Sequence, residues 1–278
     1  MNDRSQALLG DAPSRDYAEK LKLFNAFAAP ELKRLIAALG LHEGAAVLDA
    51  GCGTGEALGW LHAAVQPGGT VLGIDLSVPH VEAARQALVS GIAVCQGDLA
   101  TPPVKASSLD LIWSCNAINH VRDPVQVLER WKGLLHTGGR VALGQSSLLP
   151  DMYFAWDARL ERLTNEAIRQ YYRERYNLTE VSLSATRGLV GLLRRAGFSR
   201  VTPATIVIER VTPLDSATER YLQRAIFEGT FRDKLRAHLD EADYRQLSRL
   251  MDPAHPEYAL HRGDFHFIQT FTLVTGET

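Results

Sequence analysis

Cysteine is scarce in this sequence. The chain of 278 residues has three cysteines, Cys52, Cys95 and Cys115, which are odd in number and far apart. They lack the paired spacing of a metal site, so we expect neither a disulfide framework nor a bound metal. Reduced thiols of this kind are typical of cytoplasmic proteins. Cys95 and Cys115 fall in apolar strand patterns, which predicts core packing for both side chains.

The sequence also lacks a long apolar run and an excess of charge of either sign. No stretch approaches the roughly 20 apolar residues of a membrane span, and the polar N-terminus has no apolar core of an export signal. The net charge is −2, so no basic face is implied and nucleic acid is an unlikely main partner. These absences favour a soluble cytoplasmic protein with no membrane partner.

Short apolar segments alternate with helical patterns through residues 45–145. The predicted strands are 45–50, 70–75, 92–97, 109–115 and 140–145, and the predicted helices between them are about 55–65, 79–89 and 124–136. Ser77 and Asp123 are suited to cap the second and third of these helices. The alternation predicts an α/β fold with a doubly wound, mostly parallel sheet, whose ligands lie beyond the carboxyl ends of the strands.

Helical patterns dominate the flanking segments. Residues 17–41 are predicted to form a helix that Pro30 breaks and Gly40 ends. Residues 151–176 have the pattern of one long helix rich in aromatic residues, and about 185–196 of another. A further helical region follows residue 213 and begins with a capping box, Ser216 to Glu219. Strand patterns are found near 201–211 and at the end of the chain.

The segment "VLDAGCGTGEALGWL", residues 47–61, places three glycines after the first strand. Gly51 and Gly53 fit the first two positions of the dinucleotide pattern G-x-G-x-x-G, but its third position is Glu56. A carboxylate at that helix start would repel a pyrophosphate. The third glycine is Gly55, so the pattern D-x-G-x-G-x-G favours a ligand without phosphate, such as S-adenosylmethionine.

Three carboxylates follow the first three strands in an order that suits this ligand. Asp49 is suited to the cationic side of S-adenosylmethionine. Asp75, about twenty residues past Gly55, can accept hydrogen bonds from both ribose hydroxyls. Asp98 can accept from the exocyclic amine of adenine, with Leu99 against the ring.

Five motifs occur in a fixed order: "VLDAGCGTG", "GID", "QGDL", "LDLIWSCNAINHVRDP" and "LLHTGGRVAL". In these motifs the chain resembles the class I S-adenosylmethionine-dependent methyltransferases of small-molecule type, closely over about residues 16–147. The resemblance implies a Rossmann-like sheet of seven strands, the last of which, "FHFIQTFTLV", runs antiparallel. It also implies S-adenosylmethionine as cofactor and S-adenosylhomocysteine as product.

The resemblance further implies a cofactor site at the ends of the first four strands. Its predicted members are Asp49, Gly51, Cys52, Gly53, Gly55, Asp75, Leu76, Gly97, Asp98, Leu99 and Asn116. The first segment would hold the methionine portion, Asp75 the ribose, and Asp98 with Leu99 the adenine. Asn116 would line the pocket near the sulfonium.

No universal catalytic residue exists in this class, and a general base helps only where the acceptor is a hydroxyl, not where it is a neutral amine or a thiolate. His120 follows the fourth strand, near the expected methyl position, and an imidazole titrates near neutral pH. The alternative is that His120 satisfies backbone groups beside the following helix. His266, before the final strand, is a second candidate base that could equally face solvent.

The chain has two insertions that the minimal core of the family lacks. That core would comprise residues 42–147, 185–212 and 264–278, after an N-terminal helical segment 1–41. The insertions, 148–184 and 213–263, are expected to form a helical lid over the cleft or a homodimer contact. The candidate substrate-binding residues are Tyr17, Tyr153, Trp156 and Tyr172, although aromatic side chains at helical spacing usually pack in a core.

The sequence therefore predicts a methyltransferase that acts on a partly apolar small molecule. O-methylation in natural-product metabolism is the favoured reaction. One alternative is an enzyme of the same fold that binds S-adenosylmethionine but catalyses a cyclisation or decarboxylation. Another is a non-catalytic, cofactor-binding partner subunit.

Overall fold

One seven-stranded sheet organises the protein. The computed structural model describes residues 15–86, 89–146, 154, 156–176 and 185–278, without the side chains of 15–17, 175, 176, 185 and 186. The strands are β1 Ala46–Ala50, β2 Thr70–Asp75, β3 Ile92–Gln96, β4 Leu109–Cys115, β5 Leu135–Ser146, β6 Ser199–Val211 and β7 His266–Glu277. The described helices are α1 Arg15–Ala38, α2 Glu56–Val65, α3 Val78–Gln86, α4 Pro124–Lys132, α5 Ala158–Tyr176, α6 Ala185–Arg195, α7 Ser216–Arg220, a π-helix Tyr221–Arg232 and α8 Glu241–Met251.

The strand order β3-β2-β1-β4-β5-β7-β6 confirms the predicted doubly wound α/β fold. Strands β1 to β5 pair in parallel, whereas β7 runs antiparallel to both β5 and β6. The order reverses between β1 and β4, because β2 and β3 lie on one side of β1 and the later strands on the other. This reversal opens a crevice at the carboxyl ends of β1 and β4.

Two helix boundaries differ from the sequence prediction because tertiary contacts set them. Helix α4 ends at Lys132 rather than near residue 136, since Leu135 already pairs with Leu109 in the sheet. Pro30 lies inside α1 and does not break it. The buried apolar face of α1, which includes Phe27 and Leu32, compensates for the hydrogen bond that proline cannot donate.

Two helices in the insertions start at aspartate caps that the sequence analysis missed. Helix α5 begins at Ala158, and Asp157 Oδ1 accepts a hydrogen bond of 2.9 Å from the backbone N–H of Leu160. Phe154 and Trp156 therefore precede the helix; residues 151–153 and 155 of the predicted long helix lie outside the described residues. Asp215, rather than Ser216, caps α7.

The described parts of the insertions pack on the same face of the sheet as α1, α2 and α3. Several of their aromatic side chains meet in one cluster. The rings of Phe154 and Trp156 stack with their centroids 4.6 Å apart, and the ring centroids of Phe154 and Phe267 of β7 are 5.1 Å apart. Phe227 and Phe231 of the π-helix complete this aromatic cluster. Helices α4 and α6 cover the opposite face.

A buried ion pair attaches α1 to the far edge of the sheet. Arg210 of β6 donates to both carboxylate oxygens of Glu31, at 3.1 and 2.9 Å, and to the carbonyl oxygen of Phe27 at 2.8 Å. The side chains of Arg210 and Glu31 are only 15% and 7% exposed. Loss of one partner would therefore leave a charge that is buried and uncompensated.

We expect Glu31→Ala to lower the free energy of unfolding by about 3 kcal/mol, because Arg210 would stay buried without its carboxylate. Urea denaturation measures the change. Glu277→Gln is the control, since it removes an ion pair whose partner Arg200 is 79% exposed, and it should cost below about 1 kcal/mol. Similar losses in the two variants would contradict this account.

Candidate functional site

A cavity of about 550 Å³ opens where the strand order reverses. The ends of β1, β2 and β4 and the loop after β3 form its floor, and Leu21 and Asn25 of α1 form one wall. Its size falls within the usual range for small-molecule sites. Most of the predicted cofactor residues line it: Asp49, Gly51, Cys52, Gly53, Asp75, Leu76, Asp98, Leu99 and Asn116.

The glycine loop turns sharply because three of its residues have positive φ. Gly51, Gly53 and Gly55 have φ of 84°, 54° and 90°, which glycine adopts without strain. A Cβ on Gly51 would lie 2.4 Å from the Cβ of Ala117. Gly55 and Gly97 do not line the cavity; a Cβ there would meet Ala84 of α3 and Ile74 respectively. Their role in this structure is close packing.

Asp75 fixes the loop to the end of β2. Its Oδ2 accepts from the backbone N–H of Gly53 at 2.9 Å, and its Oδ1 accepts from that of Ser77 at 2.9 Å. Nδ1 of His80 lies 3.3 Å from the same Oδ1. Burial alone would raise the pKa of Asp75, but the contacts with His80, Ser77 and Gly53 outweigh it and lower that pKa. A charged carboxylate therefore borders the cavity.

The pKa of Asp49 is shifted in the opposite direction to that of Asp75. The residue is 1% exposed, and its Oδ2 has no hydrogen-bond partner. Burial, followed by repulsion from Asp75 and Glu56, raises the pKa of Asp49 to about 8. A buried carboxyl oxygen without a partner is costly, and a cationic ligand in the cavity would relieve that cost.

Glu56 occupies the start of α2, as the sequence predicts. Its Oε2 accepts from Asn25 Nδ2 at 2.8 Å, and its Oε1 and Oε2 lie 2.9 and 2.7 Å from the Thr54 hydroxyl. The helix N-terminus, the usual place for a pyrophosphate, is thus taken by a carboxylate. The hydrogen bond from Asn25 to Glu56 also joins α1 to the glycine loop.

The loop after β3 borders the cavity opposite α1. Asp98 is exposed, and its Oδ1 accepts from the backbone N–H of Ala100 at 2.8 Å. The carbonyl oxygen of Leu99 accepts from Trp131 Nε1 at 2.7 Å. Trp131 thereby fixes the loop that presents Asp98 and Leu99 to the cavity.

Asn116 and His120 lie in the turn after β4, and both line the cavity. Asn116 has a φ of 52°, and its Oδ1 accepts from the backbone N–H and the hydroxyl of Ser146 at 2.9 and 3.1 Å. His120 ends a 3-10 turn, Ile118–His120, whose last backbone N–H donates to Ala117. The structure thus brings the candidate base next to the cofactor residues.

Three other candidates lie elsewhere. His266 does not line the cavity, and its Nε2 lies 2.7 Å from Glu209 Oε1 at the paired ends of β6 and β7. Trp156 is buried in the aromatic cluster, and Tyr172 packs partly buried beside Tyr171. The side chain of Tyr17 and all of Tyr153 lie outside the described residues.

Several cavity residues were missed by the sequence analysis. They are Leu21, Asn25, Ser77, His80, Trp113 and Ala117, together with a rim that includes Arg122 and Arg130. Leu21, Asn25 and Trp113 carry no local signal, because α1 has the pattern of an amphipathic helix and β4 that of an apolar strand. Only the folded arrangement places them against the glycine loop.

The described ranges hold neither a metal-binding cluster nor a membrane-spanning helix. In those ranges no three His, Cys, Asp or Glu residues are grouped so as to hold a metal ion. None of the helices that the structure describes is both long enough and apolar enough to span a membrane.

The cavity, the glycine loop and the strand order together define a class I, Rossmann-like methyltransferase fold. Residues 48–143 match the family model of the methyltransferase domain. A methyltransferase from Aquifex aeolicus, described as SAM dependent, superposes with a TM-score of 0.53 at 18% identity, over 70% of this chain and 92% of that one. At that identity the likeness concerns the fold.

Two of the curated proteins that match this chain by sequence show what it resembles. An uncharacterized 37.1 kDa protein in transposon TN4556 of Streptomyces fradiae is 33% identical over 202 residues, 70% of this chain and 56% of that protein. The nocamycin O-methyltransferase of Saccharothrix syringae is 36% identical over 121 residues, 42% of this chain and 43% of that enzyme. The chain spans about half the length of the curated relatives that it matches first.

Binding of S-adenosylmethionine at pH 7 should release up to about one proton from Asp49. The raised pKa, about 8, keeps the carboxyl mostly protonated in the free protein, whereas a bound cation favours the ionised form and lowers the pKa. Calorimetric titration in buffers of different ionisation enthalpy measures the release. Asp49→Asn should abolish it and weaken binding; an unchanged release in that variant would assign the proton to another group.

Proposed function

We propose that this chain binds S-adenosylmethionine and transfers its methyl group to an oxygen atom of a partly apolar small molecule, in natural-product metabolism. One observation carries the proposal. The cavity at the strand reversal is bordered by carboxylates from three successive strands, and the adjacent helix start is closed to phosphate by Glu56. A ligand with cationic, ribose and adenine parts suits this arrangement.

The residues present fit the cofactor at each of its polar parts. The buried Asp49 carboxyl, with its unpartnered Oδ2, matches the cationic methionine portion. The charged Asp75 carboxylate is held in place by backbone amides and suits the ribose hydroxyls. Asp98 presents an exposed carboxylate to the adenine amine, and Leu99 offers an apolar contact. When bound, the cofactor supplies a methyl group activated by its sulfonium.

The chain's own contribution to such a reaction is mainly positional. Methyl transfer needs the acceptor atom in line with the methyl carbon at about 3 Å. Asn116 and His120 follow β4 and face the cavity, and the bond from Ser146 to Asn116 holds the ends of β4 and β5 together. We propose that His120 takes the proton of an acceptor hydroxyl, which is a general-base role.

The choice of oxygen as acceptor rests on two supports. His120 is a titratable group beside the expected methyl position, and a hydroxyl is the nucleophile that benefits from a base. The similar nocamycin enzyme is named as an O-methyltransferase. No described residue of the insertions lines the cavity, whose lining includes the apolar side chains of Leu21, Leu32 and Val127, and these suit a partly apolar acceptor.

The test of this function follows a labelled methyl group. The purified chain is incubated with S-adenosylmethionine that carries a labelled methyl and with a small-molecule extract, and the label is traced. Label in an extractable product, with S-adenosylhomocysteine formed in equal amount, is the expected result. Tight cofactor binding without transfer to any fraction would instead favour a cyclisation, a decarboxylation or a non-catalytic partner subunit.

Loss of the proposed base should lower turnover much more than binding. For His120→Gln we expect kcat to fall about a hundredfold or more, because an acceptor hydroxyl would keep its proton. The dissociation constant of S-adenosylhomocysteine should change by less than about twofold, since no cofactor contact is assigned to His120. His136→Gln, at an exposed position on β5, is the control. An unchanged kcat and pH profile in His120→Gln would show that His120 is not the base.

A further inference from the structure

Two lysine side chains converge on one backbone oxygen. Nζ of Lys20 on α1 and Nζ of Lys234, which follows the π-helix, donate to the carbonyl oxygen of Gly229 at 2.9 and 2.8 Å. Because both nitrogens contact the same oxygen, they are less than about 6 Å apart, a distance at which two positive charges repel each other. Two ammonium groups this close are unfavourable unless negative charge lies beside them.

Little negative charge is available to this lysine pair from the described part of the chain. No carboxylate there forms an ion pair with Lys20 or Lys234. Burial, followed by the charge of Lys20, lowers the pKa of Lys234 to about 8, although Asp233 acts in the opposite direction. The ring of Tyr171 on α5 lies 5.5 Å from Lys234 Nζ and offers a cation–π contact, but no net charge. The pair is therefore short of a counter-ion.

Gly229 allows the two lysines to meet. A Cβ at this position would lie 2.8 Å from Lys20 Cε and 3.1 Å from its Nζ, so any larger residue would displace the end of Lys20. Gly229 also belongs to the π-helix Tyr221–Arg232, a helix type that is rare and frequently occurs at functional sites. The local backbone thus accommodates the pair.

The pair lies near the cavity without being part of it. Leu21, the residue after Lys20, lines the cavity, and its Cδ1 would be 3.2 Å from a Cβ on Gly53. Lys20 and Lys234 are not among the residues of the cavity wall. Both are half-buried, so a small ion can reach them from solvent.

We propose that Lys20 and Lys234 form a binding site for an oxyanion, a carboxylate or a phosphate group, between α1 and the π-helix. An ammonium carries three N–H groups, and the bond to Gly229 uses one of them in each lysine. An oxyanion between the two nitrogens would accept charge-assisted hydrogen bonds from both and offset their repulsion. The anion is either a free ion or a group of the methyl acceptor; only the second source rests on the proposed function.

Lysine NMR tests the site in the full chain. The sequence has six lysines, so the ε-CH₂ signal of each can be followed through a pH titration of protein labelled with ¹³C-lysine. We expect inorganic phosphate or acetate, added at constant ionic strength, to raise the pH at which Lys234 is half protonated. The rise should saturate at about 0.5 pH unit or more, because a bound anion favours the charged ammonium. No rise with either ion, or equal rises at all six lysines, would overturn the site.

Lys20→Gln removes one of the two ammonium groups. In this variant Lys234 should be half protonated at a higher pH than in the parent protein, because the repelling charge is gone. Its response to phosphate or acetate should no longer saturate. Lys22→Gln, at an exposed position of the same helix, is the matched control and should respond as the parent does. An undiminished response in Lys20→Gln would refute the assignment; if that variant does not fold, the titration of the parent protein decides alone.

Competition separates the two sources of the anion. The methyl acceptor found by the labelled-methyl test is added to the parent protein in the presence of saturating phosphate. An acceptor that occupies the site should displace phosphate, and its kcat/KM should fall about tenfold in Lys20→Gln. An acceptor that leaves the response of Lys234 to phosphate unchanged identifies a free ion as the ligand. A chain whose Lys234 responds to phosphate but which transfers no methyl group would overturn the proposed function and leave the anion site standing.

Discussion

The hydrogen bond from the backbone N–H of Gly53 to Asp75 is the constraint on which the site depends. It holds the loop after β1 against the end of β2, where the N–H groups of Gly51 and Cys52 also donate to Ile74. The loop leads into Glu56, which Asn25 joins to α1, and α1 is joined to β6 through Glu31 and Arg210. A continuous set of contacts therefore links the cofactor loop to the far edge of the sheet.

Carboxylates of similar chemistry behave differently within this one cavity. Hydrogen bonds keep Asp75 ionised, and Glu56 is held by the side chains of Asn25 and Thr54. Asp49 has a buried oxygen without a partner, and burial raises the pKa of its carboxyl. A positive charge beside Asp49 would stabilise its ionised form, because no hydrogen-bond donor contacts its Oδ2. A dinucleotide, with its anionic pyrophosphate, would destabilise that form.

Sequence patterns predicted the sheet because its elements end at local signals. Glycines and aspartates mark the strand ends, and most of the candidates predicted from the order of Asp49, Asp75 and Asp98 line the cavity. The end of α4 was not predictable, because the pairing of Leu135 with Leu109 decides it. Trp113 was also missed, since an indole in an apolar strand looks like core until its N–H is found without a partner. Conversely, Trp156 was a candidate substrate contact in the sequence analysis, but its side chain packs in the aromatic cluster.

Helix α1 lies between the glycine loop and the second insertion. Leu21 and Asn25 face the cavity, whereas Phe24 and Phe27 contact Tyr221 of the π-helix, with the Phe27 ring stacked at 4.4 Å. A single helix thus separates the glycine loop from the described part of the second insertion. Changes in that part of the insertion would leave the contacts of Asp75 and Glu56 in place, because none of those contacts involves the insertion. Chemistry that resides in separable elements is what allows one fold to host many substrates.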